Sequence, residues 1–290
     1  MSVVVLGAGS LGSLLGGLLA DAHDVTLVGR EPHVGTVAAE GLTITGELDR
    51  RVFPDARTDL PASADLALVA VKSGDTAAAA RELADSELGA VLSVQNGMGN
   101  EETLAERLDC PVLAGTCTYG ALLTDPGVVR CTGVGEVVLG PREGGTSAAA
   151  DRAGETLRTG GIETTVAPDM PRRLWEKLAV NAGINATTAL ARVENGALVD
   201  GPAGDPAREA ARETARVARA QGVDLPDEVA VESLVDVAAG TVDNTSSMLA
   251  DVLADRETEI EAINGYVVDA AERPVPVNAT LTALVRGLQI

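Results

Sequence analysis

Lysine is almost missing from this chain. Its 290 residues include twenty arginines but only two lysines, Lys72 and Lys177. Arginine is effectively always protonated, whereas lysine is a compact ammonium whose pKa moves on burial and which can give up a proton. A composition that spares two lysines raises the question of what arginine could not do there. The plain alternative is two survivors on a solvated face. Histidine is as scarce, with only His23 and His33, both near the N-terminus. The three cysteines, Cys110, Cys117 and Cys131, form no C-x-x-C pair and have no histidine cluster beside them. No metal site is therefore expected, and an odd cysteine count without a framework favours a reducing compartment. No stretch is apolar for long enough to cross a bilayer. The N-terminal apolar run is interrupted by glycines and lacks a basic n-region, so no secretory signal is read. The expectation is a cytoplasmic protein with no membrane partner.

Basic patches are also lacking, which argues against nucleic acid as a partner. The formal net charge is −21, and the acidic residues are spread along the chain rather than gathered in a tail. At ~1 M salt the screening length falls to about 3 Å, so self-repulsion of that size is tolerated. Distributed acid, few lysines and many small residues point to a halophilic protein.

Two patterns divide the chain. In the first half, short β-branched runs at 3–6, 25–28, 66–71, 91–94 and 112–114 read as buried parallel strands. Helical stretches at 76–84 and 101–108 lie between some of them. Residues 41–52 look like an extended excursion, and 128–130 with 136–139 look like a hairpin finishing the sheet. Beyond about residue 168 strand signals fade and helices are expected at 170–190, 206–221, 226–239, 246–272 and 279–288, punctuated by prolines. The fold class expected is α/β: a doubly wound parallel sheet, then an all-helical C-terminal domain. The boundary falls near residue 166, giving domains 1–166 and 167–290.

Val3-Val4-Val5-Leu6-Gly7-Ala8-Gly9-Ser10-Leu11-Gly12 is G-x-G-x-x-G directly after a strand and opening a helix. The first glycine makes the tight turn, the second admits a pyrophosphate to the backbone, and the third lets helix and strand pack closely. This is the fingerprint of a Rossmann-type dinucleotide site, here Gly7, Ala8, Gly9, Ser10, Leu11 and Gly12. The second strand ends at Val28-Gly29-Arg30-Glu31. An arginine there suits a 2′-phosphate and an acid suits a free ribose hydroxyl, so Arg30 favours NADPH while Glu31 keeps NADH open.

Val94-Gln95-Asn96-Gly97-Met98-Gly99 follows the fourth strand, where Asn96 could reach a nicotinamide or a substrate oxygen; an ordinary Asn-Gly turn is the alternative. Lys177, Asn181 and Asn185 step by four and fall along one helical stripe, drifting about 40° per step. Amides among Leu, Ala, Val and Ile are costly unless paired, so they want either a polar ligand or an interhelical hydrogen-bond network. Trp175, the only tryptophan, reads as a packing anchor.

These motifs, with Leu174-Trp175-Glu176-Lys177-Leu178-Ala179-Val180-Asn181-Ala182-Gly183-Ile184-Asn185, Ser246-Ser247-Met248-Leu249-Ala250-Asp251 and Thr258-Glu259-Ile260-Glu261-Ala262-Ile263-Asn264-Gly265-Tyr266, resemble the ketopantoate reductase (2-dehydropantoate 2-reductase) family. The resemblance runs through essentially the whole chain in order. It implies a Rossmann domain, a helical domain and a cleft between them. It implies reduction of ketopantoate, a small 2-oxo acid, to pantoate by NADPH, on the route to pantothenate and coenzyme A. In that family the lysine matching Lys177 protonates the ketone oxygen. Positions matching Asn181, Asn185, Asn195 and Ser247 contact substrate. Those matching Asn96, Ala121 and Glu259 lie at the cofactor and reacting centre, and Lys72 matches a lysine beside the cofactor. Glu259 could orient the lysine or hold a substrate hydroxyl. On one straight helix, however, Ser247 and Glu259 would be about 18 Å apart in rise.

Two other readings remain open. One is a different 2-oxo-acid or polyol-phosphate dehydrogenase of the same architecture. The other is a non-catalytic NADP(H)-sensing protein, against which the set Lys177, Asn181, Asn185, Ser247 and Glu259 argues. A homodimer is one assembly open to it. The charge pattern carries the first prediction: on dialysis from multimolar to low salt the circular dichroism of the fold is lost reversibly. Full structure in dilute buffer would overturn the halophilic reading.

Overall fold

The structure is a computed structural model in which residues 1–289 are described. Its contacts divide the chain into two compact units, residues 1–95 with 100–170 and residues 96–99 with 171–290.

The first unit is built on a sheet of eight strands. β1 (Ser2–Leu6) leads into α1 (Ser10–Leu19), then β2 (Asp24–Val28) and α2 (His33–Glu40). β3 (Leu42–Gly46), β4 (Arg50–Val52), β5 (Asp55–Arg57), β6 (Ser63–Ala64) and β7 (Leu66–Val69) precede α3 (Thr76–Leu83). β8 (Glu87–Leu88), β9 (Val91–Ser93), α4 (Asn100–Ala105), β10 (Val112–Cys117), β11 (Gly120–Asp125), β12 (Val128–Gly133), β13 (Val137–Pro141), α5 (Ala148–Thr159) and β14 (Thr164–Val166) complete the unit. The order across the large sheet is β14-β13-β10-β9-β7-β1-β2-β5, parallel except where β13 runs antiparallel to β10. From β5 to β10 this is the doubly wound order, whose reversal between β1 and β7 opens a crevice at the carboxyl ends of those strands. β1, β7 and β9 read as unbroken apolar runs because both faces are covered: Val3 to Val5 and Leu66 to Val69 are all at most 1% exposed.

One expectation fails in this unit. Residues 128–130 and 136–139 form no hairpin. β12 pairs antiparallel with β11 and parallel with β3 in a separate four-stranded sheet, whereas β13 lies beside β10. The glycines between them let the chain pass from one sheet to the other, and a Cβ on Gly135 would sit 2.5 Å from the Thr118 backbone. The excursion at 41–52 supplies the β3–β4 half of that same small sheet. α1 is pressed between both sheets: a Cβ on Gly16 would meet Leu27 at 2.3 Å, and one on Gly17 would meet Leu42 at 2.8 Å.

The second unit is helical. α6 (Met170–Ala191), α7 (Ala197–Asp200), α8 (Gly204–Ala220), α9 (Asp227–Gly240), α10 (Ser247–Leu253), a π turn (Glu261–Gly265), α11 (Tyr266–Asp269) and α12 (Pro276–Leu288) follow in order. α6 and α8 meet through small residues. Ala182, Ala186, Ala207, Ala210 and Ala211 are fully buried, and a Cβ on Gly183 would stand 2.6 Å from the Ala207 carbonyl. Trp175 is buried with its ring centroid 5.9 Å from that of Tyr266, the packing role expected of it.

The single helix expected over 246–272 is broken. α10 starts on a true cap, the Ser246 hydroxyl accepting from Leu249 N–H at 3.1 Å. It stops after Leu253, where Asp255 adopts φ +52° and the Arg256 N–H turns back to the Asp251 carbonyl at 2.9 Å. The Arg256 guanidinium clamps the Asp251 carboxylate at 3.0 Å. The Ala254-Asp255-Arg256-Glu257 run contains neither glycine nor proline, the usual stop signals, so the apolar period alone continues a helix that in fact closes on a local cap with the non-glycine Asp255 in the left-handed region.

His33 ties together three elements of the first unit. Its Nδ1 accepts from the Gly127 N–H at 3.0 Å, which leaves the ring proton on Nε2 to donate to Ser13 Oγ at 2.9 Å. Burial pushes its pKa below the ordinary 6.5. In the window between the two values the unfolded chain binds the extra proton, so stability is full above pH about 6.5 and declines as pH falls. The slope this histidine adds is bounded by about 1.4 kcal/mol per pH unit. Denaturant midpoints between pH 7.5 and 5.5 should fall in the parent and fall less steeply in His33→Gln; identical slopes would show that His33 plays no part.

Candidate functional site

The first unit gathers its predicted residues at the carboxyl ends of β1, β2 and β7. Gly7 has φ +103°, and a Cβ there would lie 2.6 Å from Val71 N, immediately before Lys72. The Gly7 and Ala8 N–H groups both donate to the Val28 carbonyl, at 3.0 and 2.9 Å. A Cβ on Gly12 would meet the Gly7 carbonyl oxygen at 2.2 Å, so the helix starts as close to the turn as glycine permits. Gly9 differs: a Cβ there meets nothing within 4 Å. It caps α1, whose first turn has no acidic side chain. Open backbone at a helix N-terminus is a cradle for a phosphate anion. Ser10 Oγ accepts from Leu123 N–H at 2.9 Å, which holds β11, and with it Ala121, to the first turn of α1. Leu11 is half-buried and packs on the main core.

Arg30 is exposed just past the end of β2. Glu31 is occupied locally, its carboxylate accepting from Gly35 N–H at 3.2 Å in the first turn of α2. Lys72 is extended at φ −62°, ψ 148°, and its carbonyl accepts from Asp75 N–H at 2.8 Å. The strand before it ends at Val69, two residues before its apolar run does. A buried network missed in the sequence supports this edge. Gln95 donates to the Val71 carbonyl at 3.1 Å and to Thr76 Oγ1 at 2.7 Å, and Thr76 donates to Asn100 Oδ1 at 2.8 Å. The polar run Gln95, Asn96 and Asn100 around a glycine pair was its only sequence signal.

In the helical unit, Lys177, Asn181 and Asn185 share α6, half-buried at the first two and 6% exposed at Asn185. Asn96 belongs to this unit, and its Nδ2 donates to Glu259 Oε2 at 3.2 Å. The Met98 N–H donates to the Ala262 carbonyl at 3.0 Å. Gly97, at φ +82°, allows this contact, because a Cβ there would be 2.5 Å from that of Ala262. Ser247 is exposed at the start of α10. The helix start is fixed by its neighbour: Ser246 Oγ lies 2.7 Å from Thr188 Oγ1, one turn beyond Asn185 on α6. Ser246 and Thr188 were not singled out in the sequence. Asn195 is 7% exposed, its Nδ2 donates to Thr241 Oγ1 at 2.9 Å, and its N–H donates to the Asn244 carbonyl. It braces the link before α10, and its buried Oδ1 has no partner among the described residues.

Among the described residues no cluster of three or more His, Cys, Asp or Glu side chains could hold a metal ion, and no helix is long and apolar enough to cross a membrane.

Gly9→Ala should leave the thermal midpoint nearly unchanged. Gly12→Ala forces backbone apart, and overpacking of about 1–3 kcal/mol should lower the midpoint by several degrees. Equal midpoints would show that the turn yields freely.

Residues 3–144 match the family model described as ketopantoate reductase PanE/ApbA, and residues 169–289 match its C-terminal model. A 2-dehydropantoate 2-reductase from Halobacterium salinarum is 46% identical over 301 aligned positions, covering 100% of this chain and 99% of the relative. One from Archaeoglobus fulgidus is 39% identical over 99% of this chain and 97% of the relative. The crystal structure of a PanE/ApbA family ketopantoate reductase from Ralstonia eutropha JMP134 superposes with a TM-score of 0.91 at 33% identity, covering 100% of this chain and 98% of that one.

Proposed function

The chain belongs to the ketopantoate reductase family, and from that premise we propose that it is an NADPH-dependent oxidoreductase that reduces 2-dehydropantoate to pantoate, with Lys177 as proton donor. The observation that carries the residue assignment is the polar stripe of Lys177, Asn181 and Asn185 on α6, in the unit where Asn96 holds the Glu259 carboxylate.

The residues fit the cofactor. Gly7 to Gly12 would receive its pyrophosphate at the open backbone of Gly9, with Lys72 directly after the Val71 backbone that packs on Gly7 and Ala121 on the strand that Ser10 holds to α1. Arg30 would pair with the 2′-phosphate. The occupation of Glu31 by Gly35 N–H supports NADPH over NADH, because that carboxylate already serves α2. Bound NADPH supplies the hydride that adds to C2 of the ketone.

The chain supplies the rest. Hydride addition builds negative charge on the ketone oxygen. The Lys177 ammonium stabilises that charge and then delivers a proton to it, a contribution of about 10²–10⁴ in rate for a positioned general acid. Glu259, hydrogen-bonded by Asn96, orients the ammonium or accepts from a substrate hydroxyl. Asn181, Asn185 and Ser247 present amide and hydroxyl groups to the carboxylate and hydroxyl of the substrate, and Asn195 braces the entry to α10. Lysine rather than arginine is required because the group must part with its proton.

The test is oxidation of NADPH and NADH in multimolar salt with ketopantoate and a panel of 2-oxo acids. Lys177→Ala and Lys177→Arg should bind NADPH within about twofold of the parent and lose at least ~100-fold in kcat. Arg30→Ala, losing one charged contact, should raise the NADPH KM roughly tenfold and leave that for NADH unchanged. Turnover by Lys177→Arg at the parent rate would remove Lys177 as the proton donor.

A further inference from the structure

Three fully buried polar side chains in the helical unit form a connected network outside the site just described. Asn264 is 0% exposed and lies in the π turn. Both of its amide hydrogens are used: Nδ2 donates to the Ala182 carbonyl of α6 and to Asn278 Oδ1, each at 2.9 Å. Asn278, also 0% exposed, donates through Nδ2 to the Ala210 carbonyl at 3.0 Å and to Glu213 Oε2 at 2.9 Å. Glu213, 1% exposed, accepts from the Val277 and Asn278 N–H groups at 3.0 and 2.8 Å, and so caps α12.

The two ends of this network do different work. Glu213 closes the first turn of α12, where free N–H groups want an acceptor. Asn264 reaches the other way, to a carbonyl in the middle of α6. Ala182 follows Asn181 directly, on the stretch of α6 between Lys177 and Asn185. On its own segment, Asn264 follows Ile263, whose N–H donates to the Glu259 carbonyl at 3.1 Å. The next residue closes the wide turn, the Gly265 N–H donating to the Ile260 carbonyl at 2.9 Å. The backbone that carries Glu259 is thereby pinned to the backbone that carries Lys177. Asn264 Oδ1 is buried with no partner among the described residues. An apolar residue would leave no such orphan, so the side chain is explained by its two donations rather than by general packing.

We propose that Asn264 is a positioning residue for the reduction: its amide sets the separation of the Glu259 carboxylate from the Lys177 ammonium through the Ala182 carbonyl. The inference rests on the proton-donor reading above. It assigns Asn264 no contact with substrate or cofactor. A misplacement of about 1 Å at a catalytic pair costs on the order of 100-fold in rate, which is the scale on which this bond acts.

The experiment compares Asn264→Ala, Asn264→Ser and Glu213→Gln in the full-length enzyme at high salt. Thermal midpoint, NADPH and pantoate affinity by calorimetry, kcat and KM are read for each. All three variants should lose midpoint. The Asn264 variants should also lose about 10–100-fold in kcat with KM and both affinities within about twofold, serine less than alanine. Glu213→Gln should keep the parent kcat at a comparable loss of midpoint. In a Lys177→Ala background, Asn264→Ala should change the residual rate by less than about threefold, since residues that act as a unit are not additive. If Asn264 variants lose no more kcat than Glu213→Gln, or if their loss repeats in full without Lys177, the positioning role is overturned. Should Asn264→Ala fail to fold, the serine variant gives the same comparison. Parent-like turnover by Lys177→Ala would instead overturn the proton-donor reading beneath it.

Discussion

The hydrogen bond from Asn96 to Glu259, with the Met98 N–H on the Ala262 carbonyl beside it, is the contact around which the helical unit arranges its polar groups. Four residues that follow a sheet strand in sequence are built onto a π turn far along the chain. The approach is close enough that Gly97 admits no side chain. Held there, Glu259 has a defined position relative to its own turn, and the turn is held in place by Asn264 and Gly265. A π turn is uncommon and tends to occur where function constrains the backbone.

The sheet unit depends on a different constraint, the distance between backbone segments. Gly7 and Gly12 sit where a Cβ would collide with backbone, and Gly9 sits where a Cβ would collide with nothing. The same three-glycine pattern thus contains two packing glycines and one whose open side suits a ligand. Further along α1, Gly16 and Gly17 let the helix lie between two sheets. Ser10 and His33 then bind the smaller sheet to α1. Ala121 lies on a strand of that smaller sheet, which the Leu123–Ser10 bond holds to the first turn of α1.

Much of this was legible in the residues. The doubly wound order, the glycine turn, the α6 stripe and the succession of helices follow from apolar period and punctuation, which are local properties. Family resemblance added roles for single residues, such as Asn195 and Ser247, that spacing could not supply. The false hairpin at 128–139 and the overlong helix at 246–272 share one cause. Both were continued by apolar period across points where the chain is redirected without an obvious stop signal: Gly135 fits against Thr118 from another strand, and Asp255 in the left-handed region lets Arg256 fold back onto Asp251. The break after Leu253 also removes the objection that one straight helix would hold Ser247 and Glu259 about 18 Å apart.

The sequence by itself determined what is periodic or compositional: an α/β half and a helical half, a glycine turn of the dinucleotide pattern, an excess of acid along the chain, and a lysine content of two. Only the tertiary structure decided which polar side chains face one another. Asn96 with Glu259, Gln95 with Thr76, Ser246 with Thr188, and Asn264 with Ala182 are separated by between 19 and 163 residues. Such pairs leave no periodic trace, because a hydrogen bond is set by the meeting of two surfaces and each residue alone fits many environments.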